Sequence, residues 1–276
     1  MRIAFSKYEG LGNDFVLVEL VEGPELGREH ARLICDRRRG VGGDGVLLLG
    51  RSAAGLPSMH VINADGSVPE MCGNGIRCVA LHLARAGRVG DAPFEVDTDA
   101  GPHRCRVLES GATGVVEVAM RAASLEPADV PVRAPVALRD APLEQVDPRL
   151  RWTAVSMGNP HAVTFDEPGQ ERAQLAPRVQ SAAIFPHGVN VGFARMLGPR
   201  ALELAVFERG AGWTEACGTG ACAAAVAAVE TGRAPRGAAL AVQLPGGTLT
   251  IVVPAAGEPI LMTGPARHVF DGVLEL

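Results

Sequence analysis

Two cysteines stand in matching glycine-rich segments of this 276-residue chain. Residues 71–84 read MCGNGIRCVALHLA and residues 216–229 read ACGTGACAAAVAAV, so Cys72 and Cys217 lie 145 positions apart in the same Cys-Gly-x-Gly setting. Glycine lets the backbone turn several N–H groups toward one point, and the start of a helix adds about half a positive charge there. Such a setting stabilises a thiolate, with pKa values of roughly 3.5 to 7.5, so both thiols are candidate acid–base groups.

The same offset, within one residue, links polar landmarks that precede each cysteine. Three such pairs occur in the same order in the two halves, and each half closes on Cys-Gly-x-Gly and a helix-like run. This self-similarity predicts a duplicated domain. The pairs are Asn13 with Asn159, Asp44 with Asn190, and Asn63 with Glu208.

The polar residues at these landmarks have the chemistry to hold a zwitterion. Arginine offers a bidentate grip on a carboxylate, while asparagine and glutamate accept hydrogen bonds from an ammonium group. Alone, each asparagine beside Gly or Pro is typical of a turn. In register with two cysteines, the set indicates a binding site made of Asn13, Asn63, Asn159, Asn190, Glu208 and Arg209. His161, in the segment GNPHAV, is either an acid or base or a satisfied core histidine.

Two thiols in two related halves indicate stereoinversion. We expect the halves to face each other, with a substrate carbon in the cleft between the sulfurs. One thiolate removes a proton from one face while the other thiol returns a proton to the opposite face, each sulfur lying about 3 to 3.5 Å from the reacting atom. Because an amino-acid α-proton is only weakly acidic, the backbone N–H groups and helix dipoles must stabilise the charge that the carboxylate gains.

Lysine and metal-ligand patterns give little support to a cofactor. Lys7 is the only lysine among 26 basic residues, so Schiff-base or pyridoxal phosphate chemistry would have to rest on it. Cys78 and His82 lie four positions apart, but the paired cysteines of a zinc site do not occur. We therefore predict no cofactor and no metal. The remaining cysteines are predicted to be structural: Cys35, Cys78, Cys105 and Cys222.

Short apolar or alternating runs bounded by Gly and Pro predict strands in both halves. These runs are GVLLL, SMHVIN, FEVDTD, HRCRVLE, GVVEVAM, HAVTF, ALELAVF, LAVQL and TLTIVV. Helices are predicted near 28–39, at 169–182 and after each Cys-Gly motif. The last of these is uncharged between Glu215 and Glu230, and a helix that is apolar on all sides is buried. The sequence therefore predicts an α+β fold with a central helix wrapped by strands in each half, joined near 122–135.

Composition and charge exclude several classes of protein. With 47% apolar and 21% charged residues, the chain is not intrinsically disordered. The formal charge of −5 has no long run of one sign, so we predict no nucleic-acid partner and expect a small-molecule substrate. The uncharged stretch 237–257 is broken by Pro and Gly and predicts a β-hairpin, not a membrane span. The first residues lack the apolar run of about 7 to 15 residues of a secretory signal, so a cytoplasmic protein with free thiols is predicted.

Six segments, in chain order from near Lys7 to near the C-terminus, carry a family resemblance. They are GLGNDFV (10–16), NADGS (63–67), MCGNGIRC (71–78), SMGNPHAV (156–163), GVNVGF (188–193) and ERGAGWTEACGTGACA (208–223). Together they resemble the segments of diaminopimelate epimerases. The resemblance implies a cofactor-independent isomerase that converts LL-diaminopimelate to the meso form in lysine and peptidoglycan precursor synthesis. It also implies two pseudo-symmetric domains, each a central helix inside a mainly antiparallel, β-barrel-like sheet.

The resemblance further implies roles for individual residues. Cys72 and Cys217 match the two catalytic thiols, Glu208 assists them, and His161 matches a supporting histidine. The substrate-binding positions implied are Asn13, Asn63, Gly73, Asn74, Asn159, Asn190, Glu208, Arg209, Gly218 and Thr219. The expected domains are 1–121 with 265–276, and 122–264, with the active site in the cleft between them and a homodimer as the assembly.

Two positions depart from the family pattern, and other functions remain open. Many members have Glu where this chain has Trp213, and Gln where it has Gly45. Proline and hydroxyproline racemases use the same paired-cysteine logic, so an isomerase of that type is the first alternative. A non-catalytic anion-binding protein is the second, although neither glycine loop has the Lys-Ser/Thr of a P-loop. A thiol redox protein is disfavoured because Cys-x-x-Cys is absent.

Overall fold

A computed structural model describes residues 2–20, 26–69 and 72–276 of the chain. Met1, the first residue of the expected N-terminal domain, and Met71, the first residue of the MCGNGIRC segment, lie outside the described residues. The chain divides into two compact units. Unit 1 comprises Met1–Ala119 and Thr263–Leu276, and unit 2 comprises Met120–Met262.

The described residues form sixteen strands, four α-helices and one short 3-10 helix. The strands are β1 (Arg2–Gly10), β2 (Asn13–Glu19), β3 (Gly45–Arg51), β4 (Pro57–Asn63), β5 (Phe94–Thr98), β6 (His103–Glu109), β7 (Thr113–Ala119), β8 (Ala141–Leu143), β9 (Asp147–Ser156), β10 (Pro160–Thr164), β11 (Asn190–Gly198), β12 (Ala201–Glu208), β13 (Gly212–Thr214), β14 (Ala239–Leu244), β15 (Gly247–Val252) and β16 (Leu261–Glu275). The helices are α1 (Arg28–Cys35), α2 (Gly73–Arg85), α3 (Arg172–Gln180) and α4 (Gly218–Glu230), with the 3-10 turn at Gly169–Glu171.

In the described part of unit 1, eight strands form a closed ring. The order is β1-β2-β3-β4-β5-β6-β7-β16, and β16 pairs back with β1 in antiparallel register. Helix α2 contacts β1, β2, β3, β4, β6 and β7, and its buried residues cover all of its sides. Because α2 is buried on all sides and contacts six strands of the ring, it is the central helix that the sequence predicts.

Unit 2 is built in the same way around α4. Its strands follow the order β15-β14-β12-β11-β10-β9-β8, and the short strand β13 pairs with β12. Helix α4 contacts β9, β10, β11, β12, β14 and β15, and all residues from Gly218 to Ala228 are buried. Its alanine-rich, uncharged sequence lets the surrounding strands approach on every side.

The pairing pattern of unit 1 recurs in unit 2. The parallel pairs β2 with β3 and β4 with β5 correspond to β10 with β11 and β12 with β14, and the strand pairs between them are antiparallel in both units. Helices α2 and α4 each have 13 residues and begin at Gly73 and Gly218, which are 145 positions apart. The predicted α+β fold with two pseudo-symmetric, mainly antiparallel halves is confirmed.

Local signals placed most elements correctly. The uncharged stretch 237–257 forms the antiparallel hairpin of β14 and β15, as predicted. The predicted helix at 169–182 is a 3-10 turn followed by α3, which ends at Gln180. In the part of the chain that the structure describes, each helix is too short or too polar to span a membrane.

Helix α1 ends four residues before the predicted limit at residue 39. The Asp36 carboxylate accepts hydrogen bonds from the backbone N–H groups of Arg38 and Arg39 at 2.7 and 2.9 Å. Asp36 itself has an extended backbone, so the chain leaves the helix there and turns. A short acidic side chain that bonds its own backbone two residues on competes with helix propagation, which explains the difference.

Candidate active site

Cys72 lies at the N-cap of α2, one residue before the helix begins. Its backbone is extended, and its sulfur accepts a hydrogen bond from the N–H of Gly75 at 3.3 Å. A Cβ atom on Gly75 would lie 3.0 Å from that sulfur and 2.8 Å from Leu47 Cδ2. The glycine is therefore needed for the sulfur to occupy the first turn, where the helix end favours negative charge.

Cys217 occupies the equivalent N-cap of α4 and is buried. A Cβ atom on Gly220 would lie 3.2 Å from the Cys217 sulfur and 3.1 Å from Val206 Cγ2, so a side chain here would crowd the sulfur and require it or Val206 to shift slightly. The sulfur also lies 3.6 Å from the hydroxyl of Thr219 in the first turn. The two Cys-Gly-x-Gly motifs thus place two sulfurs at the starts of two equivalent buried helices.

A carboxylate lies beside one of the two sulfurs. Glu208, the last residue of β12, accepts a hydrogen bond from the Cys217 thiol on Oε2 at 3.1 Å. Its other oxygen, Oε1, accepts a hydrogen bond from the Thr214 hydroxyl at 2.6 Å. Thr214 belongs to β13, which is antiparallel to β12, so the short hairpin itself fixes the carboxylate against the thiol.

The Cys217 thiol is held in its protonated form. Burial raises the pKa of Cys217 well above its ordinary value, and the negative charge of Glu208 raises the pKa further. The thiolate stabilisation that the sequence predicts for both cysteines is therefore wrong for Cys217 in this state. Desolvation and a like charge outweigh the helix end and the glycine N–H. At neutral pH this thiol is a proton donor, and the adjacent carboxylate is the nearest acceptor for its proton.

The corresponding position in unit 1 carries no negative charge. Asn63, which the repeat aligns with Glu208, ends β4, and its Nδ2 donates to the Ser67 hydroxyl at 2.9 Å. A carboxamide does not take up a proton at neutral pH. The two halves therefore present chemically different surroundings at this position, with a proton acceptor in unit 2 and an amide in unit 1.

A chain of hydrogen bonds fixes the Asn13 side chain in unit 1. Its Nδ2 donates to Asp44 Oδ2 at 2.7 Å, and its Oδ1 accepts from Asn74 Nδ2 at 3.3 Å. Asn74 Oδ1 in turn accepts from the fully buried Arg77 guanidinium at 2.8 Å, which also donates to Gly73 O at 3.0 Å. The amide of Asn13 therefore has one defined orientation beside the start of α2.

Charged residues support this chain from outside. Arg37 bridges Asp14 and Asp44 at 2.6 and 2.8 Å, and Lys7 Nζ lies 2.6 Å from Asp14 Oδ2 while donating to Gly42 O. Burial alone would raise the pKa of Asp14, but the hydrogen bonds from Arg37 and Lys7 outweigh it and hold the pKa at about 2. The only lysine of the chain is therefore engaged in an ion pair with Asp14, the residue that follows Asn13.

His161 and Asn159 form a second polar group, in unit 2. Asn159 Nδ2 donates to the Thr219 hydroxyl at 3.3 Å, so Asn159 Oδ1 faces His161 and accepts a hydrogen bond from its Nε2 at 2.9 Å. Burial, with a smaller contribution from the positive charge of Arg209, lowers the pKa of His161 to about 3. The imidazole is neutral at physiological pH, and it orients an asparagine that in turn contacts the start of α4.

Asn190 and Arg209 lie side by side in unit 2. Asn190 opens β11, opposite His161 on β10, and donates from Nδ2 to Pro160 O at 3.1 Å. Its Oδ1 accepts the backbone N–H of Arg209 at 2.8 Å, and the Arg209 side chain donates to His187 O at 3.0 Å. These bonds fix the direction in which the chain leaves β12 after Glu208.

The structure brings most of the predicted site residues together near the start of the central helix in each unit. In unit 1, Cys72, Gly73 and Asn74 begin α2, and Asn74 contacts Asn13; the described contact of Asn63 is with Ser67. In unit 2, the group is joined through Cys217 to Glu208 and through Thr219 to Asn159, and its members are His161, Asn159, Asn190, Glu208, Arg209, Cys217, Gly218 and Thr219. The first N–H groups of a helix have no carbonyl partner within it, so each group can bind an anionic oxygen.

The family profile described as Diaminopimelate epimerase matches residues 5–126 and 153–269. The chain belongs to the diaminopimelate epimerase family. A curated protein named Diaminopimelate epimerase from Desulforudis audaxviator (strain MP104C) is 46% identical over 278 residues, which cover 97% of this chain and 98% of that protein. The resemblance found in the six sequence segments is confirmed over nearly the whole chain.

Solved structures of more distant proteins share the fold. A phenazine biosynthesis protein of the PhzF family from Bacillus anthracis matches with a TM-score of 0.72 at 14% identity, covering 100% of both chains. A hydroxyproline epimerase from Agrobacterium vitis, solved with bound trans-4-hydroxy-L-proline, matches with a TM-score of 0.66 at 15% identity, covering 99% of this chain and 92% of that one. At these identities the likeness concerns the fold alone.

Three residues that orient the site by hydrogen bonds were not predicted from the sequence of this diaminopimelate epimerase family member. Arg77 holds Asn74, Asp44 holds Asn13, and Thr214 holds Glu208. The signal for Arg77 was a charged residue within an apolar helical run, which requires a buried partner. Asp44 served only as a landmark of the repeat, and nothing distinguished Thr214 from an ordinary strand threonine.

Cofactor-binding chemistry has few candidate groups in the described residues. Across residues 2–20, 26–69 and 72–276, no cluster of three or more His, Cys, Asp or Glu side chains is arranged to hold a metal ion. Lys7, the lysine on which a Schiff base would have to rest, is buried in its ion pair with Asp14. All six cysteines are free thiols.

Proposed function

We propose that this protein catalyses the cofactor-independent epimerisation of LL-diaminopimelate to the meso form. The observation that carries the proposal is the placement of Cys72 and Cys217 at the N-caps of two equivalent buried helices, in a chain of the diaminopimelate epimerase family. Each helix start offers a thiol together with backbone N–H groups. Proton removal at carbon and stabilisation of the resulting charge on a carboxylate need these two kinds of group.

The proposed chemistry is a proton exchange at one α-carbon. One thiolate breaks the C–H bond and becomes a thiol, while the opposing thiol gives its proton to the other face of the carbon and becomes a thiolate. The electron pair of the broken bond moves toward the substrate carboxylate and returns to form the new C–H bond, so the reaction has no net oxidation or reduction. In the direction in which Cys217 removes the substrate proton, its own proton first moves to Glu208, which lies 3.1 Å away.

The polar residues of each unit then bind the substrate. We assign the carboxylate at the reacting carbon to the first-turn N–H groups of α2 and α4, at Gly73, Asn74, Gly218 and Thr219. Asn13, Asn63, Asn159, Asn190, Glu208 and Arg209 bind the ammonium and carboxylate groups. His161 acts as a neutral residue that orients Asn159, since burial keeps its pKa at about 3.

The biological setting is part of the proposal. We infer that the protein serves lysine and peptidoglycan precursor synthesis in the cytoplasm, acts as a homodimer and uses the domains 1–121 with 265–276, and 122–264. We further propose that the substrate is held in the cleft between these domains, with one thiol directed at each face of the α-carbon.

Substrate choice is the direct test of this proposal. Purified protein is incubated separately with LL-diaminopimelate, L-proline and trans-4-hydroxy-L-proline, without cofactor and with or without EDTA, and inversion is followed by optical rotation. We expect inversion of LL-diaminopimelate alone, at the same rate with and without chelator. Inversion of a proline substrate would support the racemase alternative, and inversion of none would support an anion-binding protein. Activity lost to EDTA and restored by zinc would contradict the cofactor-independent mechanism.

A further inference from the structure

An aromatic stack covers the outer face of the β12–β13 hairpin in unit 2. Trp213, in β13, lies directly across from Phe207 in the antiparallel register, with the ring centroids 5.3 Å apart in an edge-to-face arrangement. Its ring also lies 5.9 Å from Phe193 on β11, and Phe193 lies 5.8 Å from the fully buried Trp152 on β9. The stack thus joins the short hairpin to two longer strands of unit 2.

A cation lies over this stack. The guanidinium carbon of Arg172, the first residue of α3, is 5.2 Å from the centroid of the Trp213 ring and 6.0 Å from that of Phe193. A guanidinium over an aromatic face at such a distance is attracted by the negative charge density of the ring face. Since 43% of Trp213 is exposed, the indole bridges the surface between α3 and the hairpin.

The opposite face of the same strand points toward the catalytic thiol. Side chains alternate along a strand, so Trp213 on the outer face is followed by Thr214 on the inner face. The Thr214 hydroxyl donates to Glu208, and Glu208 accepts the Cys217 thiol. The position of the carboxylate therefore depends on how firmly β13 is held.

Backbone features indicate that β13 is only weakly stabilised by its own hydrogen bonds. It has three residues, it pairs only with β12 in the described pairings, and its first residue, Gly212, has a φ of +78°. Gly210, two residues earlier, also has a positive φ, of +86°. A strand this short, which begins with one such glycine and follows another, gains its order chiefly from side-chain packing.

We propose that Trp213, clamped by Arg172, Phe193 and Phe207, is a positioning residue that holds Thr214 and Glu208 against Cys217. The inference rests on the proposed function, because it assigns Cys217 and Glu208 to the reaction. The proposal also gives a role to Trp213 where many family members have Glu, because the bulk of the indole and its cation–π contact stabilise the hairpin from its outer face. Loosening the clamp moves the carboxylate away from the sulfur and admits water to both.

The test compares Trp213→Ala, Trp213→Phe and Arg172→Ala with matched controls. Leu197→Ala removes an apolar side chain of the same 43% exposure from β11, and Arg178→Ala removes an arginine from the same helix as Arg172. The first measurement is the rate of iodoacetamide alkylation at Cys217 against pH, with Cys217 and Cys72 peptides quantified separately by mass spectrometry. The second measurement is kcat and KM with LL-diaminopimelate.

Glu208 is the charged group that shifts the pKa of the Cys217 thiol. The other groups that hydrogen-bond to this thiol, the Thr219 hydroxyl and the Gly220 N–H on α4, are uncharged. We expect Trp213→Ala to lower the pH midpoint of Cys217 alkylation by about one unit and kcat by tenfold or more, with KM within about threefold. Arg172→Ala should lower the alkylation midpoint and kcat by smaller amounts, and Trp213→Phe should retain at least half of the parent kcat. The Cys72 profile and both control variants should match the parent.

The proposal is overturned if Trp213→Ala keeps the parent alkylation profile and kcat, or if Leu197→Ala produces the same shift. If the melting temperature shows that Trp213→Ala is unfolded, the alkylation profiles and kcat values of Arg172→Ala and Trp213→Phe test the proposal instead, since each variant leaves most of the stack in place. Alkylation needs no substrate. A parent protein inactive on LL-diaminopimelate therefore refutes the proposed function, whereas unchanged Cys217 alkylation refutes the clamp.

Discussion

Alanine at Cys72 or at Cys217 should abolish inversion in both directions, with kcat/KM lowered by about 10³-fold or more. Each direction requires one thiolate and one thiol, so loss of either sulfur removes a proton carrier from one face of the α-carbon. Because a variant enzyme cannot change the equilibrium between the two stereoisomers, kcat/KM must fall by the same factor in both directions. The measurement is the rate of inversion from LL- and from meso-diaminopimelate.

Matched controls for these variants lie in the same two helices. Cys78 and Cys222 are buried five or six residues farther along α2 and α4, so Cys78→Ala and Cys222→Ala remove a thiol from the helix without touching its start. Both controls should stay within about threefold of the parent. The assignment of Cys72 and Cys217 has to be abandoned if either alanine variant keeps inversion within tenfold of the parent.

Glu208→Gln should lower kcat/KM by about 10²-fold, the lower range of a general acid–base contribution. Glutamine preserves the shape of the side chain and accepts a hydrogen bond from the Cys217 thiol, but it cannot take the proton. The expected loss therefore separates the charge and proton transfer of the carboxylate from its packing, and the loss in kcat alone reports the proton transfer. Glu203→Gln is the control, because Glu203 lies on the same strand but is exposed and paired with Arg195.

The same substitution should change the titration of Cys217 in a defined direction. Burial raises the pKa of this thiol and the negative charge of Glu208 raises it further, so neutral glutamine should lower the pKa while burial still keeps it above that of a free cysteine. Alkylation of Cys217 in Glu208→Gln should therefore begin at lower pH than in the parent. An unchanged or higher midpoint would show that the carboxylate does not act on the thiol.

The sequence predicted the fold and the positions of both sulfurs because these depend on local or repeated signals. Alternation marks strands regardless of their partners, and the repeat fixes α2 and α4 at the same offset as their cysteines. A glycine in the third position after each cysteine was visible in the sequence. Its steric reason, a sulfur within about 3 Å of the missing Cβ, required the structure.

The charge state of the site could not be predicted from local signals because it depends on burial and on contacts that only the folded chain creates. Arg77 donates to Pro265 O at 3.1 Å, across 188 positions of sequence, and Thr214 reaches Glu208 only through the pairing of β13 with β12. The sequence left His161 open between an acid or base and a core histidine. Burial decides its protonation, because desolvation lowers its pKa to about 3 and keeps the ring neutral.

The central claim is that two separate thiols exchange protons with one α-carbon, and inversion in D2O tests it most directly. The thiol that delivers the new proton has already exchanged with solvent, while the proton removed stays on the other sulfur. LL-diaminopimelate converted in D2O should therefore give meso product that carries deuterium at the inverted carbon from the first turnover, and unreacted substrate should carry almost none at early times. A single base that served both faces would return some of the original hydrogen. Early product that retains its α-hydrogen, or substrate labelled as fast as product, would contradict the account.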